Sequence, residues 1–196
     1  NCDLVIIPGS KSTLDDLYFL RRQGWDVDLS AHKRRGGKIL GICGGYQMLG
    51  KEIKDPLLIE SSSTRIEGIG FLNVVTEMQP SKTLSKVTGE HIATKTIFEG
   101  YEIHMGQTSG PDCERPFSRL GNRFDGAISK DRQVFGSYVH GIFSSDNFRK
   151  SFLKGLNKNV VESSDGYYDS LENTLDELAD HIEDNLDVTQ IFKMAR

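Results

Sequence analysis

Gly41-Ile42-Cys43-Gly44-Gly45 has the form G-x-C-x-G, the cysteine counterpart of a nucleophile elbow. In such an elbow a sharp strand-to-helix turn lifts the side chain out of the sheet edge, flanking glycines relieve crowding, and the following helix N-terminus favours a thiolate. The Gly44 N–H would then face an oxyanion formed on a substrate carbonyl. The alternative for Cys43 is a buried structural thiol, the usual state of a free cysteine. His140, in Ser137-Tyr138-Val139-His140-Gly141, closes an apolar strand, where a base meets a nucleophile presented at the carboxyl edge of the same sheet. As the partner of Cys43 it would hold the thiolate and later protonate a leaving amine.

Pro8-Gly9-Ser10-Lys11-Ser12-Thr13 follows another strand at that edge, with backbone N–H groups free to donate to a carbonyl oxygen or carboxylate. The alternative is an ordinary helix-capping turn. Its Lys11-Ser12 suggests a phosphate loop, but Ser10 stands where glycine should precede the lysine and the first glycine of that motif is missing, so no nucleotide site is expected there. Gly100-Tyr101-Glu102-Ile103-His104-Met105-Gly106 places Glu102 and His104 on one face of a strand, where they bind substrate, orient His140 or face solvent. His104, His140 and Cys43 lack any metal-ligand spacing, so no metal is expected.

Alternating strands and helices must hold these residues. Leu4-Val5-Ile6-Ile7 reads as a fully buried strand stopped by Pro8-Gly9, and Ser12-Thr13 with Asp15-Asp16 opens a helix carrying Leu14, Leu17 and Leu20 on one stripe. Lys38-Ile39-Leu40-Gly41-Ile42 is a second buried strand after the Gly36-Gly37 turn, and Gly44 begins the next helix. This is an α/β pattern. Apolar residues crowd Gly68 to Gln79, closed by Pro80, and Thr94 to His104 is strand-like, so the middle is a run of strands of unassigned order. Gly126 to Ser129 and Val134 to Val139 form a hairpin whose second strand delivers His140. Phe148, Phe152 and Leu153 follow at helical spacing, Asn157 to Ser164 reads as a linker, and a last helix aligns Tyr168, Leu171, Leu175, Leu178, Ile182 and Leu186. The boundary falls between a domain over 1–157 and a linker with helical extension over 158–196.

The 196 residues suit one domain with one appended element, and 37% hydrophobic with 27% charged residues is a globular composition. The three cysteines, Cys2, Cys43 and Cys113, form no CxxC pair and argue against a disulfide framework or zinc module. With no apolar run of membrane-spanning length and no signal peptide, the expected location is the reducing cytoplasm. The net charge of −4 offers no general attraction to nucleic acid or anionic membrane. Eight acids and no lysine or arginine lie between Asp169 and Asp187, so the remainder, with 20 acids against 24 bases, carries +4. The acids are expected to form a solvated face over an apolar stripe packed back onto the domain, the alternative being a docking surface for a second domain or subunit.

Taken together, the elbow through Gln47-Met48-Leu49 and the later Tyr138-Val139-His140-Gly141 resemble the class I, or triad, glutamine amidotransferases. Within that class the chain is most similar to the C-terminal glutaminase domain of the cobyric acid synthases. Pro8 to Thr13, Gly100 to Thr108 and Asp125 through Phe143 also carry the resemblance, which spans nearly the whole chain; Tyr101 to Thr108 is its most specific passage. The resemblance implies a mostly parallel, flavodoxin-like sheet flanked by helices. It implies that Cys43 attacks the glutamine amide to form a glutamyl thioester and release ammonia, with His140 as acid and base. Gly9, Ser10 and Gly44 would contact the substrate and oxyanion through backbone groups, and Gln47 would help bind glutamine. No cofactor is expected in this domain: ATP and magnesium serve a synthetase domain, which amidates carboxylates of adenosylcobyrinic acid a,c-diamide in cobalamin synthesis. The synthetase and the first strand of the fold are expected to lie outside this chain. Most class I enzymes place a glutamate two residues after the histidine, where this chain has Ile142; the branch it resembles usually lacks that glutamate as well, so Glu102, a backbone carbonyl or water is left to orient His140. A related amidotransferase with another acceptor, a small cysteine peptidase and a non-catalytic glutamine-binding module are the competing readings.

Overall fold

A computed structural model describes residues 2–60, 63–161 and 166–194. The chain forms two compact units, Asn1–Val160 and Val161–Arg196. Residues 162–165 of the expected linker lie outside the described residues.

The first unit opens with strand β1 (Leu4–Ile7), helices α1 (Thr13–Arg22) and α2 (Trp25–Arg34), strand β2 (Lys38–Ile42) and helix α3 (Gly44–Leu49). Leu14, Leu17 and Leu20 recur every third residue, and α1 buries all three. Helix α2 lacks that signal, because Trp25-Asp26-Val27-Asp28-Leu29 alternates like a strand and only Leu29 and His32 are buried. β1 and β2 run parallel, as do β2 and β10 (Val134–Ser137), and β9 (Ala127–Ile128) closes the sheet antiparallel to β10. The order is β1-β2-β10-β9, with Ile39, Leu40 and Val134 fully buried at its centre. β1 differs from the expected buried strand. It lies at the sheet edge with Ile6 44% exposed, beside an open apolar cavity of about 440 Å³ lined by Val5, Ile7, Leu20, Trp25 and Leu29.

The unordered middle of the sequence builds a second sheet. Strands β3 (Glu52–Lys54), β4 (Arg65–Glu67), β5 (Val75–His91) and β6 (Ile97–Ser109) pair in the order β6-β5-β3-β4. β7 (Ser118–Leu120) pairs with β5 and with β8 (Arg123–Asp125). Pro80 does not close a strand as expected: β5 runs through it, and the register with β6 shifts between Met78 and Thr83. A proline cannot donate to the ladder, so it is tolerated where the pairing is already broken.

The expected second hairpin strand is also divided. β10 stops at Ser137, the chain crosses at Tyr138, and β11 (Val139–His140) pairs with β6 in the second sheet. Buried Asp125 holds this crossing: its carboxylate accepts the hydroxyls of Ser118 (3.0 Å) and Ser137 (2.7 Å) and the Tyr138 N–H (3.0 Å). Burial pushes the Asp125 carboxyl up against these three stabilising donors.

Helix α4 (Asp146–Leu156) packs Phe148 and Phe152 into an aromatic cluster around His91 and Phe117. Burial drives the His91 imidazole down to about 4. An unfolded histidine takes up a proton near 6.5 while the folded one resists until about 4, so stability present above pH 6.5 drains away as pH falls through that window. The loss expected by pH 4 is about 3 kcal/mol at 1.36 kcal/mol per pKa unit. Urea midpoints at pH 7 and pH 4.5 check this. His91→Gln should flatten the difference, and an undiminished acid sensitivity would remove His91 as its source.

In the second unit, α5 (Tyr167–Asn185) and α6 (Val188–Met194) bury no residue. Within this unit the apolar stripe is uncovered, with Leu175 at 48% and Leu178 at 52% exposure. Among the described residues no helix is long and apolar enough to cross a membrane.

Candidate active site

β2 ends at Ile42, α3 begins at Gly44, and Cys43 between them has φ 51° and ψ −109°. A side-chain-bearing residue resists that conformation by roughly 1–3 kcal/mol, so the surroundings must impose it. The Cys43 N–H donates to the Ser137 carbonyl at 2.8 Å, and its carbonyl accepts the Gln47 N–H at 3.1 Å. A Cβ on Gly45 would stand 2.1 Å from the Ile7 carbonyl oxygen, so only glycine lets α3 pack against the end of β1. A Cβ on Gly44 would stand 3.0 Å from the Ser10 nitrogen and 3.1 Å from the Thr13 hydroxyl. The loop after β1 and the elbow are therefore in contact. Ser10 also braces that loop, its hydroxyl accepting the Ser12 N–H (2.9 Å) and donating to Asp16.

The Cys43 sulfur is 5% exposed and donates to the Ile103 carbonyl of β6 at 3.4 Å. Burial pushes its thiol up to about 11, against the Gly44 N–H, which favours the thiolate, and together with the negative charge of Glu60. The His140 ring stacks on Tyr101, with centroids 5.1 Å apart and planes 8° from parallel. Its Cε1 edge meets Gly9, where a Cβ would lie 2.5 Å from Cε1. The His140 Nε2 is buried without a hydrogen-bond partner among the described residues, and burial, then the neighbouring His104, hold the imidazole below its ordinary 6.5. No hydrogen bond joins Cys43 and His140 among the described residues. The sequence suggests a resting thiolate held by the imidazole; in the buried site the resting pair is a neutral thiol and a neutral imidazole.

Glu102 lies beside His104 but does not reach His140. It is 1% exposed, holds Arg123 through both carboxylate oxygens, and lies 3.6 Å from the His104 Nε2. Burial alone would raise this carboxyl, yet His104 and Arg123 outweigh it and hold it at about 2. The His104 Nδ1–H donates to the Gly106 carbonyl at 2.9 Å while its ring stacks on Tyr138 at 3.9 Å. Both residues line a cavity of about 380 Å³ with Arg123 and Tyr138. Gln47 lies behind the elbow, 2% exposed, donating to the Tyr138 hydroxyl at 3.4 Å. Tyr138 is tied in turn to Thr108 and Thr108 to Thr76, both at 2.6 Å. Ile142, two residues after His140, is buried at 1% exposure. Among the described residues no three histidine, cysteine or acidic side chains are grouped to hold a metal ion.

Sequence reasoning missed four residues of this region. Asp125 and Tyr101 lie within passages singled out as motifs but carry no separate signal. Thr13 reads only as a helix start. Glu60 lies in the loop between β3 and β4, in no motif, and reaches the site only through the fold.

The chain matches the model of the CobB/CobQ-like glutamine amidotransferase domain over residues 1–148. It is 54% identical over 193 residues to the cobyric acid synthase of Bradyrhizobium diazoefficiens and 54% identical over 194 residues to that of Cereibacter sphaeroides, covering 98% of this chain in each case. A cobyric acid synthase of Brucella suis is 48% identical over 192 residues. The chain spans about 40% of the length of these relatives. Among solved structures, a glutamine amidotransferase matches with a TM-score of 0.56 over 79% of this chain and 78% of its own, and the PurLQS complex of Thermotoga maritima with a TM-score of 0.58 over 79% and 80%. Both are 18% identical to this chain, so they show the fold, an α/β amidotransferase architecture. On the match over residues 1–148, this chain belongs to the family of CobB/CobQ-like glutamine amidotransferase domains.

Proposed function

We propose that this chain hydrolyses the side-chain amide of glutamine through a thioester on Cys43. The observation that carries the reading is the strained elbow, with Cys43 at φ 51°, the Gly44 N–H directed at its sulfur and the Ser10 nitrogen across from it. As the sulfur attacks the amide carbon, its proton passes to the neutral His140, and the carbonyl oxygen takes up charge toward the N–H groups of Gly44 and Ser10. The imidazolium gives that proton to the departing nitrogen, the C–N bond breaks, and ammonia leaves. Water, deprotonated by His140, then cleaves the thioester, releasing glutamate and restoring the thiol. Gly9 holds the His140 ring in place, and Gln47 anchors the elbow helix beside the substrate.

Within a longer protein the ammonia would pass to an ATP- and magnesium-dependent synthetase domain. The relatives' name supports a corrinoid acceptor there, adenosylcobyrinic acid a,c-diamide, in cobalamin synthesis.

The test is the intact mass of the chain after exposure to an electrophilic glutamine analogue. A single adduct at Cys43, blocked by glutamine and absent from Cys43→Ala, is expected although Cys43 is buried and Cys2 exposed. An indifferent electrophile takes the exposed thiol first, so labelling led by Cys2 or Cys113 would overturn the reading.

A further inference from the structure

Glu60 sits in the loop between β3 and β4, and buried Asp55 fixes that loop by accepting the Ile59 N–H at 2.7 Å and the Glu60 N–H at 2.9 Å. The Glu60 side chain is turned toward the start of α1, where the Thr13 N–H and hydroxyl favour its charged form. Thr13 is the residue whose hydroxyl lies 3.1 Å from a Cβ built on Gly44, so this carboxylate approaches the elbow from the side of the loop after β1. Its charge is felt at the Cys43 sulfur.

One oxygen of this carboxylate, Oε2, is buried and has no hydrogen-bond partner among the described residues. The ionised side chain acting on Glu60 is Asp55, which repels it, and no cation is paired with Glu60 among the described residues. Buried carboxylate oxygens are normally satisfied, and one left open beside a nucleophile calls for a donor supplied from outside the chain. A helix-capping role alone would use the Thr13 groups and leave Oε2 unexplained.

We propose that Glu60 is a substrate-binding residue whose free carboxylate oxygen receives the α-ammonium group of an amino-acid substrate while the side-chain amide lies at Cys43. The inference rests on the glutamine reading and adds how the site tells an amino acid from a simple amide. In glutamine the ammonium nitrogen lies three C–C bonds and one C–N bond from the amide carbon, about 5 Å in an extended chain. A charge-assisted hydrogen bond in a desolvated pocket discriminates strongly against a substrate that lacks the donor.

The experiment compares two electrophilic probes on the full chain: a glutamine analogue carrying the α-ammonium and the same molecule without it. The readout is the rate of Cys43 adduct formation by intact mass. The parent chain is expected to react about 10²-fold faster with the ammonium-bearing probe, and Glu60→Gln should bring the two rates within a few-fold of each other. Iodoacetamide should label Cys43 in both proteins, showing that the thiol is present and accessible. A purely structural Glu60 would slow both probes alike and preserve their ratio. Should Glu60→Gln melt early, Glu60→Ala is scored by the same ratio. A parent chain that does not discriminate, or a ratio unchanged in the variants, overturns the role of Glu60 and leaves the glutamine reading standing. No Cys43 adduct with either probe, where iodoacetamide still labels it, overturns both.

Discussion

Cys43→Ala is expected to lower glutamine hydrolysis by at least about 10⁴-fold, since removing a covalent nucleophile leaves only binding and oxyanion contacts to act on the amide. The substitution keeps the Cβ and leaves the backbone bonds to Ser137 and Gln47 in place, so melting should be little changed. Ammonia release is measured at enzyme concentrations where the parent chain stands well above blank; retention of more than about 1% of the parent rate would exclude the thioester route. The pH profile of the parent carries a second signature. Burial, ahead of the charge of Glu60, pushes the Cys43 thiol up to about 11 while His140 is held below 6.5, so the pair rests neutral and transfers its proton only as substrate arrives. The acid limb of hydrolysis, which reports protonation of His140, should therefore lie below pH 6.5. Alkylation by iodoacetamide in the absence of substrate should keep rising above pH 9, without the plateau near neutrality that a preformed thiolate gives.

Gly9→Ala tests the placement of His140. A methyl group there would stand 2.5 Å from Cε1, 3.3 Å from Nδ1 and 3.4 Å from Nε2, so it would press on the Cε1 edge of the ring and push the imidazole from its place. Gly9 does not adopt a positive φ, so alanine meets no backbone penalty and the clash falls on the imidazole. A displacement of about 1 Å at a proton-transferring group costs about 10²-fold in rate, which is the loss expected for Gly9→Ala. Iodoacetamide should still label Cys43 at the parent rate. Full activity in Gly9→Ala would mean that the ring does not occupy this slot during turnover.

The parallel sheet and its elbow were legible because their signals are local. Buried strand Lys38–Ile42, one glycine before Cys43 and two after it, and a leucine every third residue in α1 each announce themselves within ten residues. The second sheet was not, because β5 and β6 pair through a broken register around Pro80, and such pairing is set by contacts far apart in sequence. The division of β10 from β11 was hidden for a similar reason. Val134 to Val139 reads as one apolar strand, and only the Asp125 carboxylate, meeting Ser118, Ser137 and Tyr138 in space, ends it at Ser137. Cys43 and His140 could be paired from motif alone, whereas Glu60 belongs to no motif and was invisible until the loop was folded.

That division of the last strand places the nucleophile and its base on different sheets. Cys43 travels with β2 and the parallel sheet, His140 with β11 and the β5–β6 ribbon. Tyr138 alone joins the two strands, and the Cys43 sulfur crosses the same seam to the Ile103 carbonyl of β6, so the site is assembled at the junction of the two sheets.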